Sequence, residues 1–186
     1  NPRQPNLEGD LMTHRATLDP ERPPQLGLIV LQADETLEDD MRRLLPVGVS
    51  CLNSRVPSAP TVTRDTLREM EHHLPHAAAL LPRAAAFRCV GYGCTSGTAE
   101  IGPDRIAETV QQGVSTPHVT NPLSALIAAC QFLNIRHLGL VSPYVASVSD
   151  QLRKALASAG IATPHAINFE EQFEENVVRM SAGSVR

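Results

Sequence analysis

Residues 87–98 combine the residue types that nucleophilic and acid–base chemistry use: a short apolar run, then glycines, a cysteine and hydroxyls. Cys94 follows Gly91 and Gly93 and precedes Thr95 and Ser96. Backbone N–H groups in such a turn favour anions, so we expect them to lower the pKa of the thiol and to hold a carboxylate together with the two hydroxyls. The pattern predicts a reactive thiol at Cys94; the structural alternative is a small buried cysteine at a strand end.

Three histidines form a second cluster. His72 and His76 stand four residues apart, as zinc ligands on one helical face do, and His73 lies between them. Pro75 interrupts that face, and no glutamate is placed as a general base in the HExxH order. We therefore expect a solvated helix end and no metal.

The other cysteines and the glycines admit further interpretations. Cys51 and Cys89 fall in predicted strands and Cys130 falls on an apolar helix face, and the three lack ligand spacing, which predicts core positions. Residues 91–97 are also similar to the glycine turn of a dinucleotide site. That site needs an acid or arginine at the end of the next strand, where residues 120–122 are Thr-Asn-Pro. We expect no cofactor.

Apolar runs alternate with helical patterns along the chain. We predict strands at residues 26–31, 47–52, 117–120, 137–142 and 163–168, a further one beginning at residue 87, and helices at 35–45, 64–81, 102–112, 121–133 and 148–159. Thr63 is predicted to cap the second helix, Pro75 to kink or split it, and Gly113 to end the third.

This alternation predicts an α/β fold, a parallel sheet with helices on both faces, in two related Rossmann-like lobes. We expect a disordered leader or tag remnant at 1–24, a first lobe at 25–136 and the start of a second, incomplete lobe at 137–186. Ligands bind at the carboxyl ends of parallel strands. Cys94, Tyr144 and the turn at residues 32–35 are predicted to meet there.

Composition excludes several classes of partner. A net charge of −4, scattered basic residues and the absence of tryptophan give nucleic acid neither an electrostatic footprint nor stacking platforms. No apolar run approaches the ~20 residues of a membrane span. Four cysteines without a CxxC pair, and no secretory signal, predict reduced thiols in a cytoplasmic protein. We also expect the protein to be a homo-oligomer, a dimer or tetramer.

Residues 27–30, 91–97 and 142–144, in this order and spacing, resemble the aspartate/glutamate racemase superfamily, in its maleate cis-trans isomerase and arylmalonate decarboxylase branch. Residues 54–57 (Ser-Arg-Val-Pro) and 142–145 (Ser-Pro-Tyr-Val) are similar to segments of the ectoine-utilisation subgroup, whose members resemble maleate isomerases. The resemblance implies cofactor-independent chemistry beside a carboxylate, in a cleft between two lobes that each supply one cysteine.

The resemblance also implies roles for particular residues. Cys94 matches the cysteine of the amino-terminal lobe, Thr95 and Ser96 match the hydroxyls that bind the carboxylate, and Tyr144 matches a tyrosine of the second lobe that helps to hold the substrate. Val145 beside it is predicted to line the same site. The second cysteine is expected in a Ser-Cys-Thr-like segment beyond residue 186.

Two departures from the maleate isomerase pattern bear on the substrate. Where those enzymes carry an asparagine after the first strand, this chain has Asp34 and Glu35, and where they carry another in a later helix it has Ser149. An acid repels a dicarboxylate unless it is protonated or paired. Its position after the first strand places Glu35 in the substrate site. The repulsion therefore puts maleate itself in doubt as the substrate.

The first hypothesis is an isomerase or racemase of a small carboxylic acid, maleate-like or amino-acid-like, with Cys94 as nucleophile or acid/base. The second is a decarboxylase of a malonate-type acid, which needs one protonating cysteine. The third is a non-catalytic protein that binds a small acid.

Overall fold

The structure, a computed structural model, describes residues 15–19 and 22–185. The predicted leader lies outside the described residues except for 15–19 and 22–24, which are exposed. The strands are β1 (Gln25–Leu31), β2 (Ser50–Val56), β3 (Phe87–Tyr92), β4 (Val119–Thr120), β5 (His137–Tyr144) and β6 (Ala162–Glu171). The helices are α1 (Leu37–Leu44), α2 (Arg64–Ala79), α3 (Thr95–Ile101), α4 (Pro103–Gly113), α5 (Pro122–Phe132), α6 (Ala146–Ser158), α7 (Glu174–Val177) and α8 (Ala182–Val185).

Two parallel sheets carry the fold, which confirms the predicted α/β class. The first has the strand order β2-β1-β3-β4, and the second pairs β5 with β6. Ile29 and Val30 in the central strand β1 are fully buried, as expected of an apolar run between two parallel neighbours. Ile29 pairs with Tyr92 at the end of β3, so the strand ends that precede the candidate site lie side by side.

Two elements near the amino end differ from the prediction. The second strand begins at Ser50 rather than Val47, because Gly48 turns the chain with a φ of 88° and Ser50 is the residue that pairs with Gln25. That strand continues to Val56, beyond the predicted end at residue 52. Helix α1 carries Leu37, Met41 and Leu44 at helical spacing, yet none of its eight residues, all of them described, is buried, because the helix lies on the surface beside β2.

Helix α2 is capped by Thr63, as predicted: the Thr63 hydroxyl accepts a hydrogen bond from the Thr66 N–H at 3.2 Å. Pro75 does not split the helix, which continues to Ala79. The helix buries Leu67, Met70, Leu74, Ala77 and Ala78. This apolar face holds the helix together across the one hydrogen bond that proline removes.

Gly113 has a different role from the one predicted. It forms the last residue of α4, without a positive φ, and Val114 is the residue beyond the helix. A Cβ at Gly113 would stand 2.1 Å from the Pro75 carbonyl oxygen. The glycine is therefore needed because α4 packs closely against α2.

The second half of the chain forms its own small core around Leu123, Cys130, Leu152, Leu156 and Ile161. Helix α5 contributes Leu123 and Cys130 to this core, whereas Leu126 on the same helix and Leu133 just beyond its end are exposed. Among the described residues, none of the helices combines the length and the apolar character that a bilayer crossing would need.

Candidate active site

Cys94 lies directly beyond the carboxyl end of β3. The Gly93 N–H donates to the Ile29 carbonyl oxygen at 2.8 Å, which extends the pairing of β3 with β1 by one residue. The backbone then turns, and Cys94 is the N-cap of α3, a short helix that the sequence pattern did not predict. Its Sγ accepts a hydrogen bond from the Gly97 N–H at 3.2 Å. The thiol is thus held by the first turn of a helix, and only 4% of the residue is exposed.

Three hydroxyls surround this thiol. The Ser96 Oγ lies 3.6 Å from the Cys94 Sγ, and the Tyr92 hydroxyl is near enough to the same sulfur to lower the pKa of the thiol. Tyr144, the last residue of β5, brings its hydroxyl to Ser96 from the second sheet. The structure therefore brings Cys94, Ser96 and Tyr144 together as predicted, and adds Tyr92.

Burial sets the protonation of the thiol. Removal from water raises the pKa of Cys94, and this outweighs the lowering by Ser96 and by the Gly97 N–H. The expectation that the turn makes this thiol acidic is therefore wrong for this structure. Burial likewise raises the pKa of Tyr92 and of Tyr144. At neutral pH the site holds a thiol and two phenols, all protonated.

Glu174 is a member of the site that sequence reasoning missed. After burial, its negative charge is a further cause that raises the pKa of Cys94, Tyr92 and Tyr144, so the carboxyl lies within electrostatic range of all three. The residue is 8% exposed, and burial followed by the charge of Asp34 raises its own pKa. An acidic tail ordinarily indicates a solvated segment, so the sequence carried no signal for this placement.

The tail after β6 reaches the site because it folds back onto the first sheet. Thr61 and Phe173 form an antiparallel bridge, and the Glu174 N–H donates to the Pro60 carbonyl oxygen at 2.9 Å. Beyond α7, Arg179 forms an ion pair with Glu35 at 2.6 Å. The tail is thereby fixed on both sides of Glu174.

The remaining predicted site residues lie around this centre. Thr95 lines a cavity of about 200 Å³ with Ser142 and Tyr144. Val145 is the N-cap of α6 and packs against the main apolar core. Glu35 is exposed, and Arg179 lowers its pKa. The structure gives Glu35 this partner and does not bring it to the thiol.

The residues set aside in the sequence have other places. Cys130 is buried, as predicted, whereas Cys51 and Cys89 are only partly buried, because β2 and β3 each have a partly open side here. All four cysteines are free. Across residues 15–19 and 22–185 no group of three histidines, cysteines or acids is placed to hold a metal.

We expect alkylation of Cys94 to begin at higher pH in the native protein than in the denatured chain. Burial disfavours the thiolate, so the pKa of Cys94 is higher in the folded than in the unfolded chain. The protonated thiol therefore adds stability below the pKa of Cys94 in the unfolded chain, and this contribution is lost as the pH rises through its pKa in the folded chain. Iodoacetamide labelling over a pH series, resolved by residue with mass spectrometry, measures the shift. A native midpoint below the denatured one would contradict it.

The chain has the aspartate/glutamate racemase-like fold, which the similar solved structures share. Similar solved structures include a maleate cis-trans isomerase from Nocardia farcinica, a cysteine-to-serine mutant with a covalently bound succinylcysteine intermediate. It is 21% identical over 87% of this chain and 70% of the other, with a TM-score of 0.76.

Two further structures are similar at 19% identity over 87% of this chain. The maleate isomerase Iso from Pseudomonas putida with maleate is covered over 69% and has a TM-score of 0.74. A liganded double mutant of arylmalonate decarboxylase is covered over 68% and has a TM-score of 0.72. No family model matches the sequence, and no curated protein matches it. The resemblance predicted from the sequence is confirmed for the fold, and the ectoine-utilisation subgroup stays a prediction.

Proposed function

We propose that this chain is a cofactor-independent isomerase or racemase of a small carboxylic acid, with Cys94 as the nucleophile or acid/base. The observation that carries the proposal is the buried Cys94 thiol surrounded by the hydroxyls of Tyr92, Ser96 and Tyr144. It is supported by the shared fold of a maleate isomerase whose structure contains a succinylcysteine.

A protonated thiol can carry out such an isomerisation as a balanced addition and elimination. The Cys94 sulfur forms a bond to one carbon of the double bond, and the thiol proton goes to the other. The resulting single bond rotates. The carbon–sulfur bond then breaks, the double bond re-forms in the other geometry and the proton returns to sulfur, so no cofactor is consumed.

The neighbouring hydroxyls have a role in this chemistry as well. Charge develops on the substrate carboxylate while its α-carbon is electron-rich, and donors already held in place stabilise that charge. Thr95, Ser96 and Tyr144 are the donors that we assign to the carboxylate. Val145 follows Tyr144 directly and is the N-cap residue of α6, so we assign to it the positioning of Tyr144.

The second candidate is a decarboxylase, and the raised pKa of Cys94 favours it. When carbon dioxide leaves a malonate-type acid, its bonding electrons remain on the α-carbon as an enediolate. The protonated thiol donates its proton to that carbon, and solvent later reprotonates the sulfur. One cysteine suffices, and Cys94 is the single cysteine that contacts these hydroxyls among the described residues.

An assay in deuterated water distinguishes these candidates. The chain is incubated with maleate, with single enantiomers of amino acids and with an arylmalonate, and the products are followed by proton NMR. We expect cis-to-trans conversion or exchange of the α-proton; loss of carbon dioxide would support the second candidate. Thermal stabilisation by these acids without turnover would leave the protein as a non-catalytic binder and would refute both.

Other features belong to the same proposal. We assign residues 25–136 and 137–186 to the two lobes, and a dimer or tetramer in the cytoplasm to the working protein. Degradation of ectoine-type compounds is the metabolic setting that the two short segments at 54–57 and 142–145 favour.

A further inference from the structure

A cavity of about 370 Å³ opens between the turn after β1 and the tail that folds back. Ser58, Glu174 and Glu175 line it, together with the backbone around residue 32. Its volume suits a small organic acid. Among the described residues, no basic side chain lines it.

Two polar groups in this cavity lack partners. Within residues 15–19 and 22–185, the carboxyl of Glu174, a residue that is 8% exposed, forms neither a hydrogen bond nor an ion pair, and the fully buried Ser58 Oγ has no hydrogen-bond partner. An unpartnered buried carboxyl is costly, and a ligand that supplies donors or positive charge removes that cost. Both groups therefore point to a ligand that donates hydrogen bonds.

The arginines on this side of the sheet are engaged elsewhere. Arg55 donates to the carbonyl oxygens of Leu31 and Asp34 and pairs with Glu38. Arg179 pairs with Glu35. The charge of Asp34, which acts on Glu174, adds to the negative potential of the cavity. A second carboxylate of a substrate would therefore enter without a counter-charge.

One methionine connects this cavity with the thiol. The Met70 Sδ accepts a hydrogen bond from the Tyr92 hydroxyl at 3.7 Å, and Met70 also lines a small adjoining void with Ser58 and Glu174. Glu174 in turn acts electrostatically on Cys94. Glu174 is therefore within electrostatic range of the thiol, with Met70 between the adjoining void and the Tyr92 hydroxyl.

We propose that Glu174 and Ser58 form the subsite for a protonated amine, so that the preferred ligands are small acids carrying an ammonium group in place of a second carboxylate. The inference rests on the function proposed above, because the carboxylate of the ligand lies at Cys94. The ammonium ion pairs with the Glu174 carboxylate and donates a further hydrogen bond to the Ser58 hydroxyl.

Two matched pairs of ligands test this by calorimetry: 3-aminopropanoate against succinate, and 4-aminobutyrate against glutarate. In each pair an ammonium group replaces one carboxylate. For the wild-type chain we expect at least one amino acid to bind about 10-fold or more tightly than its matched diacid. In Glu174→Gln that preference disappears, because glutamine keeps the shape and loses the charge.

Glu108→Gln, the same charge change on an exposed helical surface, is the control and keeps the preference. Thermal unfolding is used to check that Glu174→Gln is folded. Removal of an uncompensated buried acid is expected to leave the melting temperature unchanged or higher. Tighter binding of both diacids by the wild type, or an unchanged preference in Glu174→Gln, would overturn the proposal.

The same ligands separate this inference from the proposed function. If the amino acid preference depends on Glu174 but turnover does not depend on Cys94, the subsite is supported and the proposed role of Cys94 is refuted. Turnover that requires Cys94 with no such preference refutes the subsite alone.

Discussion

Replacement of Cys94 by alanine or serine is expected to abolish turnover, with a loss on the order of 10³-fold or more, because the substrate loses both the sulfur that adds to it and the proton that the thiol transfers. The serine variant separates chemistry from structure. Its hydroxyl can accept the Gly97 N–H that the Cys94 Sγ accepts at 3.2 Å, and serine is a favoured N-cap. The rate of the reaction, followed by NMR, and the melting temperature are the two measurements.

The matched control is Cys89→Ala, five residues earlier in the strand that leads to Cys94, at a partly buried position. We expect this variant to retain its activity, since Cys89 forms no hydrogen bond with the hydroxyls around Cys94. A Cys94→Ser protein that is folded and turns over at the wild-type rate would remove Cys94 from the mechanism. Equal losses in Cys89→Ala would show that the effect is structural.

Replacement of Gly97 by alanine is expected to deform the site as a whole. A Cβ there would stand 2.6 Å from the Tyr92 hydroxyl oxygen and 3.0 Å from both the Cys94 Sγ and the Met70 Cε. These groups are buried, so the added methyl overpacks the site at a cost of about 1–3 kcal/mol in the free energy of unfolding. Displacement of the thiol is expected to lower turnover by about 10²-fold.

Gly139→Ala is the matched control, because a Cβ at that position meets no atom within 4 Å. Its unfolding free energy is expected to stay within about 0.5 kcal/mol of the wild type. Denaturant unfolding compares the two variants. Adding Tyr92→Phe to Gly97→Ala removes the oxygen that the new methyl meets, so the two changes are expected to be non-additive. A Gly97→Ala protein as stable and active as Gly139→Ala would contradict this packing.

Several features of the site followed from short stretches of sequence. The apolar residues 28–31 predicted the buried central strand, and the glycines before Cys94 predicted the turn that holds the thiol. Tyr144 was placed at a strand end and lies there. Each of these depends on interactions between residues that are close in sequence, or on a hydrophobic pattern that only one environment satisfies.

Other features depend on residues that are distant in sequence. The register of β2 is set by its pairing with β1, and the need for a glycine at 113 comes from the carbonyl of Pro75 on another helix. Glu174 reaches the site because the Thr61–Phe173 bridge folds the tail back. No local pattern around these residues carries that information.

The protonation of Cys94 shows this division most clearly. The sequence by itself determined which residue carries the thiol and which N–H groups and hydroxyls stand next to it, and these neighbours lower its pKa. Only the tertiary structure decided how much water is excluded, through Tyr92, Tyr144 and Glu174 from three different elements. Burial outweighs the local hydrogen bonds, because the thiolate would lose its solvation by water and the few donors beside it replace only part of that solvation.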